Sequence, residues 1–502
     1  MKVFSVVPVF FLAVLTVTAQ TNTNAVATRA MSLQDCISEA LQHNLDMQIE
    51  RYDPQISLYD LRADYGGYDP TFNFSGQHQY NDSGPTFQNG QHVAGQQINE
   101  DSFSSSFNGT APWGLTYDLG GNVSSTKGGN TVSNQFLPFQ NSDGQVGALT
   151  LTQPLLKNFW IDQTRLNVRV AKNRLQFSEQ GVRQQVITSV TAVEDAYYEL
   201  IYAQEFVRVQ QEALVLAQTQ LDQDQQRVQI GTLAQLDVQQ DQAQVATSHA
   251  NLIAAQFAFD KDQNTLKNLL TDGYLKWHST DIQPTATITN APLQLFDLQD
   301  SWNKGMTERP DLLQARLNVE KQGIQLKFDN NQLYPELDLT GTYGYNGSGN
   351  NFGDTFNQFN QANAPFWSYG AQLSMPLSNV GARNTYKADK VTLQQLLLTL
   401  KQFEQTIMVD IDNAVKQAQS DYQNVDATRQ ARIYAEAALD AEQKKYDVGK
   451  STTFTVLQLQ NTLTTDRGAE IRALANYYED LSNLAAAEGS TLERNGINIE
   501  LK

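Results

Sequence analysis

"RPDLLQARLNVEKQGIQLKFDNNQLYPELDLTGTYGY", residues 309–345, opens as a helix and closes as a strand. Leu312, Leu317, Ile324 and Leu326 are scattered through charged and amide residues. After Pro335 the period drops to two, with Leu337, Leu339, Tyr343 and Tyr345 alternating with Asp338, Thr340, Thr342 and Gly344. A strand with one apolar face has to bury that face on something.

The same passage is written twice. Residues 33–80 align without a gap on 298–345, an offset of 265, with ten identities that include Asp64/Asp329, Pro70/Pro335, Gly76/Gly341 and Tyr80/Tyr345. Further on, "GALTLTQPLL" (147–156) resembles "GAQLSMPLSN" (370–379), and "VQIGTLAQLDVQQ" (228–240) resembles "YDVGKSTTFTVLQ" (446–458). Internal repetition on this scale fixes the architecture before any local detail. Each copy reads helix, strand, loop, strand, long helix, turn, helix.

The bulk composition narrows the class. Of 502 residues 40% are hydrophobic, mean hydropathy is -0.45, and 35 basic against 54 acidic residues leave a net charge of -19. That balance carries no nucleic-acid footprint, which requires clustered Lys and Arg. Residues 1–19 read as a secretory signal: Lys2, an apolar run from Val3 to Val17, then small residues with Val17 and Ala19 placed for cleavage. Beyond it no stretch approaches the roughly 20 apolar residues of a membrane helix, so strands must do any spanning. The lone Cys36 excludes a disulfide framework and reads as a cysteine packed on a short helix.

In the first long helix an apolar residue recurs at every seventh position: Val186, Val193, Leu200, Val207, Leu214, Leu221, Val228. After Gly231 the row resumes at Val238, Val245, Leu252, Phe259 and Leu266. A sustained period of seven predicts left-handed supercoiling of paired helices. Beside it runs Gln204, Gln211, Gln218, Gln225, so the seam is thin and much of each helix stays wet. From Pro154 to Gly231 such a helix could reach roughly 115 Å, too long for a compact domain.

Alternating strand faces appear at Phe72 and Phe74; at Leu149, Leu151 and Leu155; at Leu337 to Tyr345; and at Tyr369, Ala371, Leu373 and Met375. Apolar-out, polar-in segments of this length suit a membrane β-barrel. Four strands cannot close one, because the smallest have about eight, and an open edge cannot stand in lipid. Several chains must share the barrel. Residues 81–146, rich in Gly, Ser and Asn, carry a further alternating piece (Trp113, Leu115, Tyr117, Leu119) and read either as a surface hairpin or as an additional barrel pair.

With these features the chain resembles the TolC-like outer membrane efflux protein family. The marks are "RPDL" (Arg309 to Leu312), "P-x-L-x-L-x-G" (Pro335 to Gly341), Gln153-Pro154, the tips Ile230-Gly231 and Val448-Gly449, and "A-x-x-x-Y" (Ala473 to Tyr477), in order over about residues 31–490. The resemblance implies an α+β membrane protein, an internally duplicated protomer giving about four strands to a shared trimeric, twelve-stranded outer-membrane barrel and long helices to a periplasmic α-helical barrel. The expected divisions are a signal peptide (1–19), repeat one (31–290; strands about 70–80 and 147–155, long helices 156–270), repeat two (291–490; strands about 335–345 and 367–377, long helices 378–486) and a C-terminal tail (491–502).

It also implies partners and sites: a homotrimer set in outer-membrane lipid, a periplasmic adaptor (membrane fusion) protein, and an inner-membrane pump of RND, ABC or MFS type. Ile230, Gly231, Val448 and Gly449 fall at the periplasmic tips where the adaptor would touch. Asp237 matches an acid that locks the first tip, and Tyr446 a tyrosine on the opposing helix. The family's two acids after the second tip are Thr455 and Gln458 here, a departure; Asp237 and Asp241, four apart on one helix face, are the alternative gate candidates beside the reading of both as solvated surface acids.

No enzyme chemistry is expected. The five histidines make no metal spacing, and no P-loop, dinucleotide fingerprint or G-x-S-x-G elbow occurs. No metal or cofactor is implied. An exit duct is the leading function, and a periplasmic coiled-coil structural or adaptor-like protein is the alternative.

Overall fold

A computed structural model describes residues 27–498 except 85, 89, 94, 133, 134, 293 and 295. The expected signal segment lies outside the described residues, and the tail is described only to residue 498.

In chain order, β1 (Ala27–Met31) leads to α1 (Leu33–His43), α2 (Leu45–Glu50) and α3 (Tyr52–Tyr65), then β2 (Thr71–Asp82). A short hairpin, β3 (Thr86–Gln88) and β4 (Gln91–Val93), precedes the long strands β5 (Gln97–Thr110), β6 (Thr116–Val132) and β7 (Gln135–Pro154). The helices α4 (Gln163–Gln229), α5 (Gln235–Leu270) and α6 (Tyr274–Trp277) and strand β8 (Thr280–Pro284) end the first half. The second half is α7 (Leu298–Glu308), α8 (Pro310–Asn331), β9 (Glu336–Gly349), α9 (Phe352–Gln361), β10 (Pro365–Ser374), α10 (Val380–Asp447), α11 (Thr453–Glu488) and α12 (Thr491–Arg494).

The offset of 265 is visible in the fold. α1 and α7 begin and end at equivalent positions, α2 with α3 matches α8, and β2 starts where β9 does. Pro310 at the first turn of α8 has a preset helical φ and no amide left unpaired. Arg309 explains the rest of the "RPDL" mark: its guanidinium donates to both oxygens of Asp311, at 3.0 and 2.6 Å, and to the carbonyl of Ala487 at 3.2 Å, tying this corner to the end of α11.

Two elements build the wall. The first is one antiparallel sheet in the order β10-β9-β7-β6-β5-β2. It has two strands more than the four that the repeat alone supplies, because β5 and β6 are a hairpin inserted between β2 and β7; of residues 81–146 these two strands lie in the sheet, while β3 and β4 form a separate two-stranded hairpin. Of the alternating piece Trp113, Leu115, Tyr117 and Leu119, Tyr117 and Leu119 lie in β6 and Trp113 and Leu115 in the turn before it, while Phe103 and Phe107 carry the same face on β5. β7 begins at Gln135, twelve residues before the expected 147, since its polar first half is paired with β6 from Val132↔Gln135 onward and with β9 from Ser142↔Gly349 onward. β10 runs over 365–374 rather than 367–377.

The second element is the helix set. α4 has 67 residues and α10 has 68, about 100 Å each at 1.5 Å per residue. Val186, Val193 and Leu200 of the seven-residue row are fully or almost fully buried, as are Val238 and Leu266 of its continuation, whereas Gln211, Gln218 and Gln225 are exposed. Where β1 pairs in parallel with β8, Met31, Cys36, Ile37, Tyr197, Leu200, Leu270 and Ile282 form a packed core. Tyr197 donates to the Met31 carbonyl there at 3.1 Å, and Gln263 brackets the backbone of Ile282 with two hydrogen bonds. No described helix is long and apolar enough to cross a membrane.

Candidate functional site: the helical tips

Both long helices end in the same way. Past α4, Gly231 takes φ +80°, its amide donates to the Val228 carbonyl at 2.9 Å, and Thr232 donates to Arg227 at 2.9 Å. Past α10, Gly449 takes φ +73°, donating to Tyr446 at 3.0 Å, while Lys450 donates to Lys445 at 2.8 Å. Each is a left-handed glycine C-cap with the paired bonds that satisfy the last carbonyls. Ile230 and Val448 occupy the cap positions with their side chains largely exposed, so the two tips present an apolar residue each.

Above the tips lies a buried polar cluster. Asp224 on α4 is fully buried and accepts from Gln220 at 2.8 Å and from the Tyr446 hydroxyl at 2.7 Å. Thr453, in the first turn of α11, supplies the next hydroxyl at 2.9 Å from Tyr446. Arg227 sits over the Tyr446 ring at 4.4 Å and donates to Asp447 at 3.0 Å. Two helices, α4 and α10, and the start of a third, α11, are thus joined through one tyrosine. Burial pushes the Tyr446 hydroxyl up to about 12, so it stays a donor.

Tyr446 therefore pairs with Asp224, not with the family-matched Asp237, which is half-buried in the first turn of α5. Asp241 is fully buried beside Asp224. Burial, then the contact with Asp224, raises its carboxyl to about 7. Thr455 is half-buried, its amide donating to the Thr452 cap, and Gln458 is exposed in a shallow groove with Gln240, Gln244 and Asn461. The structure thus brings Asp241 and Tyr446 together around Asp224 and leaves Thr455 and Gln458 in separate surroundings.

Asp224, Arg227, Asp447 and Thr453 escaped the sequence reading. A signal for Asp224 exists: Val182, Ser189, Ala196, Ala203, Gln210, Ala217 and Asp224 form a second seven-residue row of mostly small residues. All but Ala196 are buried. On α5, Asp241, Ser248 and Ala255 form the shorter counterpart, also buried.

A duplicated chain that joins a membrane-type sheet to paired helices with glycine-capped tips defines an outer-membrane channel protomer. The chain belongs to the Outer membrane efflux protein family, whose sequence profile matches residues 36–271 and 304–490. It is 25% identical over 364 residues to Outer membrane protein TolC of Escherichia coli (strain K12), spanning 70% of this chain and 71% of TolC. Outer membrane efflux protein BepC of Brucella suis biovar 1 is 23% identical over 331 residues, 66% of this chain and 68% of BepC. Among solved structures, the outer membrane protein VceC of Vibrio cholerae superposes with a TM-score of 0.66 at 17% identity, over 91% of this chain and 96% of VceC. The CmeC outer membrane channel of Campylobacter jejuni gives 0.64 at 15%, over 91% and 86%. The protein is accordingly an outer-membrane efflux protein, and its relatives are transport proteins.

Proposed function

We propose that this protein is the exit duct of a tripartite efflux or type I secretion system, conducting substrates passively from an inner-membrane pump and periplasmic adaptor to the exterior, with no catalytic step of its own. One observation carries the reading: away from α9 the sheet's apolar face has no cover, with Phe72 at 68% and Tyr369 at 79% exposure, and β7 and β10 of that sheet lead into α4 and α10. Lipid is the environment that suits such a face, and water suits the opposite one. The two free sheet edges call for further copies, a homotrimer, with the helices forming a periplasmic tube below.

The tips then point at the adaptor and the RND, ABC or MFS-type pump behind it. A groove of about 750 Å³ between α4, α10 and α11, lined by the apolar Val215, Leu216, Leu439 and Leu463 together with the charged Arg208, Glu212, Glu436 and Arg467, suits an adaptor helix. A periplasmic coiled-coil protein, the alternative, would leave the apolar sheet face in water.

Electron microscopy of the protein extracted from outer membranes tests the duct: a threefold tube roughly 100 Å long supports it. Monomers or filaments overturn it, and solubility of the signal-cleaved protein without detergent favours the coiled-coil alternative.

A further inference from the structure

We propose that the barrel has eighteen strands, three six-stranded sheets closing through β10 of one copy on β2 of the next, and that the exit is correspondingly wider than a twelve-stranded one. This rests on the homotrimer proposed above and goes beyond it.

Four observations make β5 and β6 wall and not decoration. The ladder is continuous: β2 pairs with β5 from Thr71↔Asn108 to Asp82↔Gln97, and β5 with β6 from Thr110↔Thr116 to Gln97↔Gly129. An apolar row crosses all six strands residue opposite residue, namely Phe72, Phe107, Leu119, Leu149, Tyr343 and Trp367. The adjacent row on the other face is polar throughout: Thr71, Asn108, Asp118, Thr150, Thr342 and Ser368. One face therefore meets lipid and the other water at the inserted strands as at the original four. Standing the hairpin away from the wall would break two ladders and leave Phe103, Phe107 and Leu119, each around two-fifths exposed or more, without lipid.

The direction of the strands allows closure. β2 runs out from α3 and β10 runs back to α10, so β10 of one copy lies antiparallel to β2 of the next. Every residue of β2 is exposed, as is nearly all of β10, which marks both as edges. An unpaired edge cannot stand in the hydrocarbon layer, and three sixes give an even number. The one helix at the outer end of the sheet does not plug it. α9 lies on the apolar side, Thr355 donating to Ser142 at 2.8 Å and Phe352 packing on Phe103 at 5.8 Å.

With strands about 4.8 Å apart and tilted about 40°, eighteen close at a backbone diameter of roughly 36 Å, against roughly 24 Å for twelve. The lumen is lined largely by uncharged Ser, Thr, Asn and Gln. Such an exit passes bulky or folded cargo, and selection falls to the helical tips.

Cryo-electron microscopy of the full chain, purified from outer membranes into lipid nanodiscs, counts the strands. A threefold particle with eighteen is the expected result. A threefold particle with twelve, residues 97–132 standing off the wall, overturns this inference and leaves the duct intact. A particle without threefold symmetry overturns the homotrimer beneath it. A second measurement uses Ser75→Cys with Ser104→Cys, whose serine hydroxyls lie 2.7 Å apart across β2 and β5. Mild oxidation should close an intrachain disulfide in most chains of the double variant and in neither single variant; no disulfide in correctly inserted protein overturns the six-stranded wall.

Discussion

Asp224 near the end of α4 and Asp241 near the start of α5 are both fully buried and in contact across the first tip, and neither oxygen of Asp241 receives a hydrogen bond from any described group. Two carboxyl groups placed this way bond well only by sharing a proton. Tyr446, Arg227, Asp237 and Asp447 complete the charged and titratable surroundings.

The first prediction follows from that shared proton. Burial and Asp224 raise Asp241 from its ordinary 3.8 to about 7. A carboxyl whose folded-state pKa is raised binds more protons when folded. The stability it contributes is therefore full below about 3.8, declines as pH climbs toward about 7, and is flat above. Amide exchange at residues 226–240, corrected for intrinsic exchange, should give an opening constant that rises up to about tenfold per pH unit between pH 5 and 7. Asp241→Asn supplies its own donor and should flatten the profile. A flat wild-type profile would remove the shared proton.

Tyr446→Phe deletes the donor to Asp224 and leaves the Gln220 bond in place. A buried acceptor stripped of one partner costs about 1–3 kcal/mol. The tip should open more readily by that amount in amide exchange, and single-channel conductance in planar bilayers should rise. Asp224→Asn added to Tyr446→Phe should cost less than the sum of the two, because both act on one bond.

Much of this molecule was legible in its sequence, and the reason is periodicity. The offset of 265 and the seven-residue Val/Leu row persist because each is imposed by a repeated packing geometry, which a single chain displays many times over. The inserted strands were half-legible. Of the alternating piece Trp113, Leu115, Tyr117 and Leu119, the last two lie in β6 and the first two in the turn before it, and the glycines and serines around them suit a lumen wall as well as a loop. The Tyr446 partner was not legible. Asp224 and the exposed Asp222 are indistinguishable as residues, and only the row of small residues running into Asp224 separates them. Family matching named Asp237 as the acid of the first tip, on α5, whereas Asp224 lies on α4.

The tip glycines give a prediction with opposite signs. An added Cβ at Gly231 or Gly449 meets nothing within 4 Å, so Gly231→Ala acts through the backbone alone. At φ +80° a side chain costs about 1–2 kcal/mol. Gly323, within α8, also has nothing within 4 Å of an added Cβ but lies in regular helix. Gly323→Ala should stabilise its helix by about 0.5–1 kcal/mol. Opening free energies from amide exchange at residues 228–236 and 318–328 give the two signs; the same sign at both sites would refute the cap geometry.

Arg309 joins three features at one corner: both oxygens of Asp311, the Ala487 carbonyl, and the backbone turn at Gly489, whose φ of +77° brings it against residue 309. Removing the guanidinium leaves a carboxylate and a helix-end carbonyl short of donors in a partly buried site. Arg309→Ala should therefore cost about 1.5–3 kcal/mol, the range for hydrogen bonds to charged groups. Arg309→Lys should restore little, because a point-like ammonium cannot hold both oxygens of Asp311 and reach Ala487 together. Amide exchange at residues 485–496 reads the loss, and full rescue by lysine would show that charge alone, not the forked geometry, holds the corner.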